Sequence, residues 1–108
     1  MVGCVDDEKF CETLVEKTVS EFGRLDVLVN NAGIAQRLKI LEHSIDECLK
    51  RLEDVFKTNY RAVLCLIRLA VPHLLKTRGN IVNVSSVAGQ RPVSDLLKCK
   101  SDFESYNI

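Results

Sequence analysis

At 108 residues, with 46% apolar and 28% charged side chains, the chain has room for at most one small domain and is too apolar and too evenly charged to be disordered. Fifteen Lys+Arg against fifteen Asp+Glu leave a formal net charge of zero, which argues against nucleic acid or an anionic membrane as a partner. No stretch approaches the ~20 apolar residues of a membrane span: the most apolar helical run, 62–67, is bracketed by Arg61 and Arg68, and Asp6-Asp7-Glu8 stands where a secretory leader would be basic and then apolar.

The first element is a helix over 8–22. Asp6 and Asp7 suit its start, because a carboxylate there accepts from unpaired N–H groups of the first turn. Phe10, Leu14, Val15, Thr18, Val19 and Phe22 recur at helical spacing, and Gly23 supplies the stop. Val27-Leu28-Val29 is an apolar run without alternation, the pattern of a parallel strand buried on both faces, and it ends in the small polar stretch Asn30-Asn31-Ala32-Gly33. After a loop to His43, Ser44 and Glu47 form a capping box. A long helical pattern follows over 44–77 through Leu49, Leu52, Val55, Phe56, Val63, Leu64, Ile67 and Leu74, with a kink or break expected at Pro72. A second apolar strand runs from Asn80 to Val84 and gives way to Ser85-Ser86-Val87-Ala88-Gly89. Helix, strand, long helix, strand, with about fifty residues between strands, fits a right-handed β-α-β crossover. The fold class is therefore α/β, with two main strands and two helices. Beyond Pro92 the apolar period decays, so residues 94–108 are expected to form an irregular tail.

Five cysteines (Cys4, Cys11, Cys48, Cys65, Cys99) are odd in number and show no C-x-x-C spacing. They read as reduced small hydrophobes, with no disulfide set and no metal site. Together with the absent leader, this makes a cytoplasmic location the expectation. Asn83-Val84-Ser85 matches a glycosylation sequon but lies in an apolar strand, and is set aside.

In an open parallel sheet, ligands bind at the carboxyl ends of the strands. Asn30–Gly33 and Ser85–Gly89 both lie at such ends and would line one crevice. Gly23-Arg24-Leu25-Asp26-Val27-Leu28-Val29-Asn30-Asn31-Ala32-Gly33, then Asn59, then Ile81-Val82-Asn83-Val84-Ser85-Ser86-Val87-Ala88-Gly89 resemble, in order and separation, three motifs of the short-chain dehydrogenase/reductase family. Reductases of 3-oxoacyl thioesters are among the members it resembles. The match covers residues 1 to about 93.

This resemblance implies the central part of a doubly wound, Rossmann-type domain that takes NAD or NADP. It implies that Asn31, Ala32 and Gly33 lie along the adenosine side of the cofactor, with Val5 keeping a role there, and that Val84 and Ser85 line the nicotinamide side. It further implies that Ser86 is the catalytic serine, bonded to the substrate carbonyl or hydroxyl, and that Asn59 holds a water in the proton relay. At Gly33, a side chain would obstruct close approach of backbone to ligand. A small ketone or secondary alcohol is the implied substrate.

The sequence also departs from the family pattern. The family's tyrosine, with a lysine four residues on to lower its pKa, belongs about a dozen residues after Ser86, where Cys99 stands; Lys98 and Lys100 are preceded at that distance by Ser94 and Leu96, and Tyr106 comes late. A free tyrosine titrates near 10 and is a poor base at neutral pH. No glycine-rich phosphate loop occurs, Gly3 standing alone, and Cys4 replaces the acidic or amide residue expected beside the adenine. The expectation is a catalytically incomplete fragment with exposed strand edges. The alternative, from a different class, is a non-catalytic interaction module that pairs with a full-length relative, or with its own copy, through the helix over 44–77.

Overall fold

The computed structural model describes residues 1–37 and 41–87. In chain order these form α1 (Glu8–Phe22), β1 (Val27–Asn30), α2 (Ile45–Phe56), a π-helical turn (Lys57–Arg61), α3 (Ala62–Thr77) and β2 (Asn80–Asn83). The two strands pair in parallel, Val27 opposite Asn80 through Asn30 opposite Asn83.

α1 begins and ends where its caps dictate. The Asp7 carboxylate accepts from the Lys9 N–H at 2.9 Å, and Gly23, at φ 74°, donates its N–H to Val19 O. Cys11 and Val15, one turn apart, are buried against Leu66 of α3, with Leu14, Leu25, Leu28, Cys65 and Leu69 packed around them. This small cluster is the core of the fold. An ion pair from Arg61 to Glu8 ties the π turn to the first turn of α1.

The strands start from a tightly joined junction. Thr77 Oγ1 donates to Leu25 O at 2.7 Å, and Asn80 N donates to Asp26 O at 2.9 Å. A Cβ added to Gly79 would stand 2.3 Å from Asp26 O and 2.7 Å from a Leu74 methyl, so only glycine fits between the end of α3 and the start of β1. Arg24 grips the Asp26 carboxylate through Nε and Nη2, which holds that carboxyl below its ordinary pKa.

Three expectations need correction. The helix over 44–77 does not break at Pro72: α3 runs on to Thr77, and burial of Ala70 and Leu74 on either side of the proline outweighs one lost backbone bond. The interruption lies at the π turn instead. One extra residue in that turn keeps Val55 and Ala62 buried on either side while directing Asn59 inward, and Phe56 stacks on Tyr60 across it. Second, neither strand is buried on both faces, and all four residues of β2 are exposed. Leu28 packs on the core, whereas Val27 and Val29 are 50% and 55% exposed. A continuous apolar run marks a strand fit for burial on both faces, but α1 and α3 lie on the same side. Third, Phe22, last in the predicted apolar stripe of α1, is exposed.

The capping box forms as expected. Ser44 Oγ accepts from Glu47 N, and the Glu47 carboxylate accepts from Ser44 N at 2.8 Å. Of the five cysteines, Cys4, Cys11, Cys48 and Cys65 are free thiols, and Cys99 lies outside the described residues. Burial, and next to it the neighbouring Cys65, pushes the Cys11 thiol up to about 11. Among the described residues no helix is long and apolar enough to cross a membrane, and no group of three potential metal ligands gathers.

Candidate functional site

Because β1 and β2 are parallel and in register, the segments leaving them emerge side by side at the same edge of the sheet. Val84 N donates to Asn30 O at 2.9 Å, and Asn30 Nδ2 donates to Asn83 Oδ1 at 2.8 Å. These two bonds hold the exits of the strands together. Asn83 was not singled out from sequence as a site residue, and Asn30 only as the first residue of the stretch expected to line the crevice. The signal was present all the same: each closes a four-residue strand at the same register position, where a buried amide needs a partner in the neighbouring strand.

Asn59 is buried and makes a two-point contact with the loop after β1. Its Oδ1 accepts from Ile34 N and its Nδ2 donates to Ile34 O, both at 2.8 Å. The amide thereby imitates one rung of a β-ladder and fixes the loop directly after Gly33. Further along the loop, Gln36 meets Asp54 and Arg51 of α2. The side chain of Asn59 thus helps to place the loop backbone.

Gly33 is not held to glycine by the described residues. Its φ is not positive, and a Cβ there would meet only Asn59 Oδ1, at an ordinary 3.4 Å. The described residues leave room for a side chain there. Asn31 and Ala32 are exposed beside it, and together with Val5 they line one slot of about 300 Å³. Val84, Ser85 and Ser86 are exposed beyond the end of β2 and lie outside that lining. The structure therefore gathers Val5, Asn31 and Ala32 at one place, couples Gly33 to Asn59 at a second, and presents Val84, Ser85 and Ser86 alongside. Ala88, Gly89, Cys99 and Tyr106 lie outside the described residues.

The candidate residues are amides, hydroxyls and apolar groups, which can donate, accept and pack. The starts of the two capped helices, the usual seats for phosphate, are filled by carboxylates: Asp7 caps α1, and Glu47 closes the first turn of α2. One N–H at each of those ends is engaged by its cap, Lys9 N by Asp7 and Glu47 N by Ser44 Oγ, and the carboxylates would repel an anion.

Residues 2–97 match the family described as short chain dehydrogenase. The chain is 42% identical over 87 residues to L-fucose dehydrogenase of Mus musculus, covering 81% of this chain and 31% of that protein. It is 40% identical to the 3-oxoacyl-[acyl-carrier-protein] reductase FabG of Thermotoga maritima, covering 79% of this chain and 33% of that one. The fold is shared with a short-chain dehydrogenase/reductase of Saccharomyces cerevisiae, at a TM-score of 0.86, 27% identity and coverage of 97% of this chain and 40% of that chain. It is shared also with NADP-bound ElxO, at 0.79 and 31% identity, covering 94% and 40%. The chain thus spans about a third of the length of these curated relatives.

Proposed function

The chain belongs to the short-chain dehydrogenase family, and from that premise we propose that it descends from an NAD(P)-dependent oxidoreductase of small alcohols and ketones and carries a catalytically incomplete part of the site. One observation carries the reading. The loops that begin with Asn31-Ala32-Gly33 and Val84-Ser85-Ser86 leave two parallel strands at the same register, and Asn59 pins the first of them.

The fit to a dinucleotide is partial. The exposed rim and the open space at Gly33 suit the two ends of such a molecule. Asn31, Ala32, Gly33 and Val5 would lie along adenosine, with Val84 and Ser85 along nicotinamide. The helix starts carry carboxylates where pyrophosphate would need free N–H donors, so the middle of the molecule finds no seat in them. A bound nicotinamide supplies the hydride chemistry. Ser86 would donate to or accept from the substrate oxygen. Asn59, whose amide bonds Ile34, acts in this reading as the residue that positions the loop. The described residues at this rim supply amides, hydroxyls and apolar groups, and turnover would need a proton donor near neutral pH beside them.

The test is binding of NADH and NADPH to the purified chain, followed by fluorescence, with far-UV circular dichroism to confirm folding. A folded chain with no saturable binding up to about 1 mM, the weak end of specific recognition, is the expected result. Saturable binding at about 1 μM would overturn the incomplete-site reading.

A second reading has its own support. Ile45, Leu49 and Phe56 of α2, spaced four and seven residues apart, are 78%, 52% and 46% exposed along one side of the helix. That stripe favours an interaction module pairing with a full-length relative, or with a second copy, through the helix over 44–77. Co-expression with such a relative would yield mixed dimers under this reading, and Leu49→Lys would abolish them.

A further inference from the structure

α1 and α3 run in the same direction along one seam. Arg61, just before α3, bonds Glu8 in the first turn of α1, and Thr77 at the end of α3 bonds Leu25 O just past the end of α1. Residues one turn further along each helix therefore stay in step. One turn past Glu8 is Cys11, and one turn past Arg61 is Cys65. Beyond them Leu14 and Val15 of α1 meet Leu66 and Leu69 of α3. The seam thus reads ion pair, thiol pair, apolar cluster.

Cys11 is fully buried, and its Sγ donates to Val5 O at 3.2 Å. Cys65 is half-buried against the same cluster, and both thiols are free. Burial first, and then the neighbouring Cys65, holds the proton on Cys11, and the bond to Val5 O uses that proton. Two thiols set side by side across packed helices can exchange with a disulfide and become one themselves.

We propose that Cys11 and Cys65 are a redox pair that closes to an intramolecular disulfide, stapling α1 to α3, when the chain meets a small-molecule disulfide. The half-buried Cys65 reacts first: its thiolate sulfur attacks one sulfur of the small disulfide, that S–S bond breaks, and one half leaves as a thiolate. Cys11 then gives its proton to water, its sulfur attacks the Cys65 sulfur of the mixed disulfide, and the second half leaves. The chain loses two electrons and two protons, and the small disulfide gains them as two thiols. The proton held on Cys11 makes the second step the slow one. Closure also acts ahead of α1. Cys11 Sγ no longer carries a hydrogen, so Val5 O loses its donor, while a disulfide keeps its two Cα atoms about 4.4–6.8 Å apart and fixes the seam. Oxidation stiffens the helix pair and loosens the turn in which Asp7 N bonds Cys4 O. The proposal concerns this seam alone and holds whether or not a dinucleotide binds.

The test incubates the full native chain with oxidised glutathione, blocks the remaining thiols with iodoacetamide and maps the links by mass spectrometry. The expected product is a monomer about 2 Da lighter, two hydrogens having left, with the Cys11 peptide joined to the Cys65 peptide. Cys65→Ser should abolish the link, and Cys11→Ser should stop at glutathione held on Cys65. In the oxidised chain the Val5 carbonyl resonance should shift, and the urea midpoint should rise by about 1 M or more. Four results would each overturn the proposal: glutathione resting on Cys65 at equilibrium while Cys11 stays a thiol, a link from Cys11 to Cys4, Cys48 or Cys99, a link that forms only in urea, or a midpoint that does not rise. Should either serine variant prove unfolded by circular dichroism, mapping on the native chain decides alone.

Discussion

Two glycines show how differently the two ends of the sheet are made. At the starting end, Gly79 is wedged between Asp26 O and Leu74, where a single methyl would collide with backbone. At the exit end, Gly33 has room for that methyl. Around Gly79 the bonds run from α3 and β2 to Leu25 O and Asp26 O and fix where both strands begin. Around Gly33 the loop is held by side chains, Asn59 at Ile34 and Asp54 and Arg51 at Gln36, and Asn31 and Ala32 stay exposed. Stability is concentrated where the strands begin, and the accessible polar surface lies where they end. That division is the usual one in parallel α/β sheets, because ligands approach the carboxyl ends and the opposite end is free to serve packing.

The comparison can be broken most directly at Gly79. Gly79→Ala should destabilise the chain by about 3 kcal/mol or more, the upper range for overpacking, because the obstacle is backbone and cannot rotate away. Urea unfolding followed by circular dichroism reads it, and a cost comparable to that of an exposed substitution would refute the wedge. Next in size is Asn59→Ala, which strips two hydrogen bonds from Ile34 and should cost about 2–3 kcal/mol. Asn59→Asp keeps the acceptor for Ile34 N but sets a buried carboxylate oxygen against Ile34 O, so it should cost at least as much as Asn59→Ala. The Ile34 amide, exchanging much faster in both variants, reports whether the loop has come loose.

Ser44→Ala removes the cap of α2 and should cost about 1 kcal/mol, seen as lost helicity over 45–56 with α1 intact. The same cap carries a pH dependence. Hydrogen bonds from the Ser44 backbone and then its hydroxyl hold Glu47 below the usual carboxylate range. A carboxyl whose folded pKa is depressed stabilises the helix above its unfolded pKa, near 4.3, and loses that contribution as pH falls through the folded value. Helicity of α2 should therefore drop on acidification in the native chain and stay flatter in Glu47→Gln, as residue-resolved NMR would show. The smallest effect belongs to Gly33→Ala, expected within about 0.5 kcal/mol of the native chain. A large loss there would mean that the exit loop is packed as tightly as the start of the strands, and the contrast between the two ends would fall.

Legibility followed the range of the forces involved. The helix over 8–22 was readable to the residue, since Asp7 and Gly23 act within one turn of their own positions. The capping box at Ser44 and Glu47 was equally local. Asn59 was marked by resemblance as a catalytic residue, but its bond to Ile34 spans 25 positions, and no local pattern announces it. At Pro72 the sequence allowed a kink or a break, and the fold shows that α3 runs on past it to Thr77, with Ala70 and Leu74 buried on either side. The apolar strands advertised two buried faces. Which face was covered depended on both helices lying on the same side.

The sequence by itself determined the order of elements, their caps, the parallel pairing and the family, because these rest on short-range hydrogen bonding and on residue spacing along one strand or helix. Tertiary structure alone decided that Gly79 admits no side chain and Gly33 does, that Asn30 and Asn83 join the strand exits while Asn59 bonds the loop after β1, and that Cys11 and Cys65 share one seam between α1 and α3. Each of these is a contact between residues far apart in the chain, and its energy depends on distances that only the assembled fold sets.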